Sequence, residues 1–277
     1  IHYLFKLNST LTTLIWSTHI GRSGNDALYG IQQDATGNTF VTGGTSSTNL
    51  SSAQNSNAGG IDGFLTKYSS TNALLTSRYI GTSSYDQCYF VQVDITDSVY
   101  VFGQSLGAMP VTAGKYANAG SHQFIQKYNN TINALTFSTV FGTGGSTIDI
   151  SPSAFLVNDC GLIYMSGWGG TTNGSGSTTT GLPVSTGAFQ TTTTGNDFYL
   201  MVLDQNATGL NYATFFGGPV SGEHVDGGTS RFDKKGNVYQ AVCAGCGFGG
   251  NNDFPTSAGA WSTTNGSSNC NLGVFKF

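Results

Sequence analysis

The fold is decided by the stretch Phe64-Leu65-Thr66-Lys67-Tyr68, because this apolar run around a lysine recurs along the chain. The matching runs are Tyr3-Leu4-Phe5-Lys6-Leu7, Phe124-Ile125-Gln126-Lys127-Tyr128, Phe198-Tyr199-Leu200-Met201-Val202 and Val274-Phe275-Lys276-Phe277. The interval between copies is about 60 residues at first and about 75 later. A period of this length indicates a tandem array in which each copy is one supersecondary unit.

Other landmarks keep the same phase. A strand-like run ends in glycine at Gly21, Gly81, Gly142 and Gly217. A hairpin signal with Gly and Asn, both of which tolerate positive φ, occurs at Asp34-Ala35-Thr36-Gly37-Asn38 and again at Asp233-Lys234-Lys235-Gly236-Asn237, with counterparts at Asp94 and Asp159. Three of the five prolines, Pro110, Pro183 and Pro255, share one repeat position.

Each period contains four β-branched or aromatic runs bounded by turn residues. Tandem copies of four antiparallel strands are typical of propeller blades, because stacked blades bury the sheet faces that a single blade leaves exposed. We therefore predict an all-β β-propeller of about four four-stranded antiparallel blades over residues 1–277. The repeats cover approximately 3–63, 64–123, 124–197 and 198–273, and residues 274–277 begin a further equivalent strand. Because this strand is duplicated, we expect an arc of a larger ring; a small closed ring with a displaced terminal strand is the alternative.

The composition excludes several functional classes. Charged residues make up 9% and the net charge is −4, without a basic stripe, so the sequence does not predict nucleic-acid binding. No apolar run reaches the roughly 18 residues of a membrane span. The chain begins with Ile1, without a visible signal peptide, and we interpret it as a processed or excised piece.

The residues resemble a known family. The segments 16–26 and 34–46 resemble the SBBP β-propeller repeat of bacterial surface proteins. The segments 223–236, 241–247 and 252–255 are similar to the large gliding-motility-associated surface proteins of Bacteroidota. The resemblance implies export by the type 9 secretion system, further N-terminal blades, and PKD-like modules and a sorting domain on the C-terminal side. The resemblance implies no catalytic residues in this sequence.

The cysteines offer a candidate disulfide. Cys243 and Cys246 have the spacing of a redox or zinc pair, and Cys270 and His224 are the nearest further ligands. We expect instead a structural disulfide, most simply between Cys270 and either Cys243 or Cys246, that pins the last long loop. Cys88 lies in a core-strand pattern and is expected to be a buried thiol.

Three further patterns are weaker. Asp26, Asp86 and Asp226 lie near corresponding strand starts and could bind Ca²⁺ or sugar hydroxyls, but we expect them to accept backbone N–H groups in turns. His224 with Glu223 and Asp226 looks like an acid/base cluster without a nucleophile. Ser98 follows Asp97 in a pattern that resembles the O-glycosylation site of Bacteroidota, and an ordinary turn is the alternative.

These observations predict a non-catalytic structural or adhesive module, secreted or on the exterior of the outer membrane. We expect no enzyme activity, no catalytic or metal site and no cofactor. The expected partners are other surface proteins, further domains of the same parent chain, or glycans. A glycan-binding propeller is the alternative, and a hydrolytic propeller enzyme a more distant one. An open arc would also expose a strand edge that invites strand addition.

Overall fold

The computed structural model describes residues 2–170, 177–225, 230–246 and 252–277. Within these ranges the chain forms eighteen β-strands and one short 3-10 turn, Gln205–Ala207, and no α-helix. No helix in this part of the chain has the length and apolar character needed to cross a membrane. The chain divides into two compact units: Ile1–Pro110 with Phe124–Ser138, and Val111–Gln123 with Thr139–Phe277.

The strands form a hairpin and four sheets of four strands. The hairpin consists of β1 (His2–Leu7) and β2 (Leu14–Ile20). Three complete sheets follow: β3 (Asp26–Gln33), β4 (Thr39–Thr45), β5 (Asp62–Tyr68) and β6 (Leu74–Ile80); β7 (Asp86–Val93), β8 (Val99–Ser105), β9 (Gln123–Tyr128) and β10 (Leu135–Phe141); β11 (Ser151–Val157), β12 (Ile163–Trp168), β13 (Phe198–Leu203) and β14 (Leu210–Phe216). The last sheet contains β15 (Gly222–His224), β16 (Arg231–Phe232), β17 (Val238–Cys246) and β18 (Asn271–Lys276).

These four-stranded antiparallel sheets are the blades of a β-propeller, which confirms the fold class predicted from the repeat. The sheets are displaced by half a period from the sequence copies. The sheet β3-β4-β5-β6 takes its first two strands from the copy 3–63 and its last two mainly from the copy 64–123. The repeat predicts the strands and their order along the chain. It does not predict which strands pair in one sheet, because the connections within a sheet and the connections between sheets have similar sequences.

The turns between the first and second strands are closed by side chains. Asp34 Oδ1 accepts the backbone N–H groups of Thr36 (3.0 Å) and Asn38 (2.9 Å). Asp94 and Asp233 make the corresponding bonds, at 2.8–3.0 Å. In the third copy the acceptor is Asn158 rather than Asp159, the counterpart chosen from sequence. Such Asx turns explain why this position is always Asp or Asn.

The recurring lysine lies in the third strand of a sheet. Lys67 pairs across strands with Phe40, and its ammonium group lies 5.0 Å from the centre of that ring. Its Nζ also lies 4.0 Å from Asp34, and both side chains are nearly buried. Lys127 repeats the pattern with Asp94 at 3.5 Å and the Tyr100 ring at 4.9 Å. A cation over a desolvated ring contributes about 1–2 kcal/mol, which accounts for a charged residue inside an apolar strand.

Neighbouring sheets pack closely where glycines allow it. In the first unit, a Cβ on Gly30 would lie 3.0 Å from the backbone of Tyr89 and of Val91, and one on Gly63 would lie 2.4 Å from the Cys88 sulfur. The Cys88 thiol is completely buried there. In the second unit, Phe198 and Leu200 of β13 share one apolar cluster with residues of β17 and β18.

Candidate functional site

A groove with a volume of about 870 Å³ runs beside β18 in the last sheet. One wall is β18 itself and the other is the segment 252–265, which we call the outer segment. Phe216 of β14 and Phe189 of the loop between β12 and β13 also line it. Phe254 and Trp261 add aromatic rings on the outer segment.

The complete sheets show what lies at this position elsewhere. In the sheet β11–β14, a segment that corresponds to the outer segment pairs with the fourth strand: Ser185 N–H donates to Ala213 O at 3.0 Å, and Phe215 N–H donates to Gln190 O at 3.1 Å. This segment contains Pro183, the counterpart of Pro255. The fourth strand β14 is therefore held between β13 on one side and this segment on the other.

The same arrangement recurs in the other complete sheets. Beside β6, Gln54 N–H donates to Ser77 O, and Ser77 N–H donates to Ser52 O, both at 2.9 Å. Beside β10, Asn118 N–H donates to Val140 O at 3.1 Å. Each fourth strand thus has a backbone partner on both edges.

In the last sheet β15 and β16 both pair with β17 at one of its edges and β18 pairs with it at the other, so among the described residues no strand lies beyond β18. There β18 pairs with β17 only. Within 252–277, no backbone hydrogen bond joins the outer segment to β18. The groove therefore lies where β6, β10 and β14 lie in the complete sheets, and its two walls are the two neighbours of a fourth strand.

The side chains around the groove are unusually exposed for this fold. Register identifies Leu272 and Val274 as the counterparts of Phe198 and Leu200, because β17 pairs with β18 as β12 pairs with β13. Leu272 and Val274 are 75% and 71% exposed, whereas Phe198 and Leu200 are 0% and 5% exposed. The indole of Trp261 is fully exposed.

The outer segment is anchored at its start, and the chain that follows it is anchored just before β18. Asp253 Oδ2 accepts the N–H groups of Val220 and Ser221, each at 2.8 Å. Partial burial acts to raise the pKa of Asp253, but these hydrogen bonds outweigh it and lower the pKa below its usual value. Directly before β18, Cys270 forms a disulfide with Cys246 of β17.

The lining of the groove offers several kinds of binding contact. Its lining offers aromatic rings, alkyl groups, hydroxyls, amides and the ammonium group of Lys276. No carboxyl, imidazole or thiol group is present among the described lining residues. General acid–base catalysis requires a titratable group within hydrogen-bond reach of the substrate, and the groove wall provides only the lysine.

A second cluster consists of carboxyl pairs inside the sheets. Asp62 Oδ1 and Asp86 Oδ2 converge on Gly81, since a Cβ there would lie 2.8 Å from each oxygen. Both residues are fully buried, and Asp62 Oδ1 has no hydrogen-bond partner among the described residues. Burial, together with the nearby Asp86, raises the pKa of Asp62 from its usual 3.8 to about 6. Burial and the neighbouring charge therefore favour the protonated form of Asp62.

Buried carboxyl groups also face the corresponding glycine in other sheets. Asp197 and Glu223 converge on Gly217, and burial followed by the charge of Asp197 raises the pKa of Glu223 to about 9. In the third copy Gly142 faces Asp149 and the hydroxyl group of Ser121. Gln123 lies nearby, and in the amide orientation that satisfies its neighbours its N–H group donates to Asp149 Oδ2 at 3.3 Å. An amide is the neutral counterpart of a protonated carboxyl group, so in this sheet the buried carboxyl group is paired with a neutral donor.

Asp26 and Asp86, two of the aspartates singled out from the sequence, accept backbone N–H groups in turns. Asp26 Oδ2 accepts the Arg22 N–H at 2.8 Å, and Asp86 Oδ2 accepts the Thr82 N–H at 2.6 Å. This supports the turn interpretation over a rim of calcium ligands. Asp226 lies outside the described residues, and Glu223 makes the equivalent bonds, to Gly218 N–H at 3.3 Å.

The disulfide uses one of the two pairings that the sequence left open, and Cys243 is not part of it. The ligand atoms of His224, Cys246 and Cys270 all lie within 4.8 Å of one another. A zinc site on these groups would require both sulfurs as thiolates, which the disulfide excludes. Ser98 lies half-buried in its turn, where its N–H donates to Asp94 at 3.0 Å.

Sequence reasoning missed the groove, although a signal was present. An aromatic residue follows each of the repeated prolines by six positions: Tyr116 after Pro110, Phe189 after Pro183 and Trp261 after Pro255. Trp261 is thus one member of a repeated aromatic position.

Comparisons with known proteins identify no family: no protein-family profile and no curated protein matches the chain. Solved structures resemble it weakly. A protein of unknown function from Bacteroides caccae is 8% identical over 83% of this chain and 60% of its own, with a TM-score of 0.40. A polysaccharide lyase of family PL25, an ulvan lyase, is 13% identical over 89% of this chain and 54% of its own, with a TM-score of 0.43. A Synechocystis apocarotenoid oxygenase variant is 8% identical over 98% and 55%, with a TM-score of 0.42. The chain spans little more than half the length of these proteins.

Proposed function

We propose that this chain is a non-catalytic structural module of a secreted or cell-surface bacterial protein, and that it binds partners through the groove of its last sheet. The observation that carries the proposal is the open aromatic groove between β18 and the outer segment. Exposed aromatic surface in a concave site is characteristic of interaction surfaces.

The location of the titratable groups supports a non-catalytic role. Asp62, Asp86 and Asp197 are 0% exposed and Glu223 is 1% exposed, so none can reach a substrate in this conformation. Their carboxyl groups accept turn N–H groups or face each other. They contribute to the architecture of the sheets.

The cell-surface location is proposed from the SBBP-type resemblance together with two properties of the chain. Its charged residues make up only 9%, and its turns are rich in Ser, Thr, Asn and Gly. The Cys246–Cys270 disulfide suits an oxidising compartment. Association with gliding motility and with type 9 secretion is proposed on the resemblance alone.

The location can be tested on intact cells that produce the parent protein. Protease added outside should cleave the exposed outer segment near Trp261 while a cytoplasmic marker survives. Cleavage that occurs only after cell lysis would contradict the surface location.

Glycan binding is the second candidate, because the exposed Trp261 indole lies in a groove that also presents Asn252 and Asn265. Sugars stack on such rings and bond to amides. Titration with oligosaccharides, followed by tryptophan fluorescence, tests this role. We expect no saturable change, and a saturable change that Trp261→Ala abolishes would favour the lectin role.

A further inference from the structure

We propose that the side chains of Lys67 and Asn130 become joined by an amide bond, in a single reaction that follows folding and releases ammonia. Both residues belong to the first unit. Lys67 lies in β5, and Asn130 lies in the turn between β9 and β10. The bond therefore links the sheet β3–β6 to the sheet β7–β10, and it is independent of the groove in the last sheet.

The two reacting groups are in contact in the folded chain. Lys67 Nζ donates to the side-chain oxygen of Asn130, and also to its backbone oxygen at 3.0 Å. The carbonyl carbon Cγ lies one bond beyond that side-chain oxygen. The contact spans 63 positions of the sequence, so the packing of two sheets produces it. Holding two reactants together in this way can correspond to an effective concentration of about 10⁵ to 10⁸ M.

A carboxylate lies beside both reacting groups. Asp34 Oδ2 is 4.0 Å from Lys67 Nζ and accepts the side-chain N–H of Asn130 at 3.3 Å. The same amide nitrogen donates to the backbone oxygen of Asp97 at 3.2 Å. The amide of Asn130 is therefore held at both ends, by the lysine at its oxygen and by the two aspartates at its nitrogen.

The surroundings of Lys67 favour a neutral, nucleophilic amine. The side chains of Lys67 and Asp34 are 7% and 1% exposed, and the Phe40 ring centre lies 5.0 Å from Nζ. Burial lowers the pKa of Lys67, and the charges of Asp34 and Asp97 oppose this only in part. A buried lysine with a lowered pKa is the form in which this side chain acts as a nucleophile.

Asp34 can carry the proton that the reaction has to move. Burial acts to raise the pKa of Asp34, but hydrogen bonds, led by the one from Asn38, outweigh it and lower the pKa to about 2. Asp34 is thus a carboxylate that can accept a proton from the Lys67 ammonium group. Because it is a weak base the reaction is slow, but one turnover in the lifetime of the chain is enough.

The reaction balances without an external reagent. The neutral amine of Lys67 attacks Cγ of Asn130, and the new C–N bond forms. The Cγ–Nδ2 bond then breaks, and Asp34 returns its proton to the departing nitrogen, which leaves as ammonia. In total, an ammonium group and a primary amide give a secondary amide and an ammonium ion.

The repeat supplies a natural contrast to Asn130. The turn at Asn129 matches the turn at Ser69 in the preceding copy, since each begins with a backbone oxygen that accepts the N–H group three residues later, at 2.9 Å. Ser70 therefore stands in that copy where Asn130 stands here. A serine side chain has no carbonyl carbon, so Asn130→Ser removes the reacting group while keeping a residue that this turn accepts.

Mass spectrometry of the reduced and denatured chain tests the bond. We expect an intact mass below the mass of the sequence by one molecule of ammonia. Digestion with trypsin should then give a branched peptide in which residues 23–78 are joined to residues 128–231, because trypsin does not cleave after an acylated Lys67. The branched peptide distinguishes the bond from loss of ammonia at another asparagine.

Two substitutions should abolish the bond, and a third is the matched control. Asn130→Ser and Lys67→Arg should each give the full mass of the sequence, since one lacks the carbonyl carbon and the other the amine. Lys6→Arg changes the recurring lysine of another copy, which is exposed, and should leave the loss of ammonia unchanged.

The role of Asp34 is tested by Asp34→Asn, which keeps the turn, because Asn158 closes the same turn in the third copy. In a time course of the mass after cell-free synthesis, this variant should form the bond about 100-fold more slowly or not at all, as expected for loss of a proton-transfer group.

Three results would overturn the proposal: a folded parent chain with the full mass of its sequence, a branched peptide that joins other residues, or bond formation in Asp34→Asn at the rate of the parent. The first of these is measured on the parent chain, so the test does not depend on the folding of any variant.

Discussion

Replacing Asp62 with asparagine should stabilise the protein at alkaline pH and leave it unchanged in acid. The carboxyl group of Asp62 is fully buried beside Asp86. Burial and the charge of Asp86 raise its pKa from 3.8 to about 6. In the third copy a neutral amide partners the buried carboxyl group, because Gln123 donates to Asp149 there.

The magnitude follows from the change in pKa. The folded state binds the proton of Asp62 more tightly than the unfolded chain does. The free energy of unfolding is therefore highest below about pH 4 and decreases as the pH rises to about 6. One pKa unit corresponds to about 1.4 kcal/mol, which sets an upper limit of about 3 kcal/mol on the loss above pH 7. Asp62→Asn removes the ionisation and should recover most of this free energy at pH 8.

The assay is chemical denaturation at pH 4, 6 and 8, with the transition of the first unit followed by amide exchange or by its own spectroscopic signal. The mirror variant Gln123→Glu creates a carboxyl pair with Asp149 and should destabilise the protein at pH 8 but not at pH 4. A gain for Asp62→Asn that is the same at every pH would refute the raised pKa of Asp62 as the cause, and so would a loss at pH 8.

Three further outcomes are expected. Replacing Cys246 and Cys270 together with serine should lower the free energy of unfolding by about 3 kcal/mol, as a disulfide across a separation of 24 residues does, and a guanidinium midpoint equal to that of the parent would argue against this. Gly81→Ala should cost about 1–3 kcal/mol, because its Cβ would meet two carboxyl oxygens at 2.8 Å; Gly266→Ala, with open space around it, is the neutral control in thermal unfolding. Trp261→Ala should change stability by less than about 0.5 kcal/mol and remove the red-shifted component of the emission spectrum, since the indole is fully exposed.

The repeat made the strands and the blade-type sheets predictable, because turn residues and apolar runs return at fixed spacing. It did not predict which strands share a sheet. The Asp34 turn joins two strands of one sheet and the turn at Thr82 joins two different sheets, yet an aspartate oxygen accepts backbone N–H groups in both. Only the packing of whole sheets distinguishes a connection within a sheet from one between sheets. The arc of a larger ring stays a prediction.

The site was less predictable than the fold. Glu223 was not recognised as the counterpart of Asp26 and Asp86, because a longer side chain reaches the same turn from a shifted position. The groove is formed by two segments, β18 and the outer segment, whose spacing depends on a fourth strand that the described chain does not place between them. The sequence pattern predicts each of these segments but not the distance between them, so the groove could not be predicted from the sequence.

The most direct test of the open edge is hydrogen exchange along β18, compared with its counterpart β13. The amides of β18 that point away from β17 have no backbone partner among the described residues, whereas β13 is paired on both sides. We expect these β18 amides to exchange orders of magnitude faster than the corresponding amides of β13. Equal protection in the isolated chain would mean that the edge is already covered, and a groove shaped for a fourth strand would then not exist.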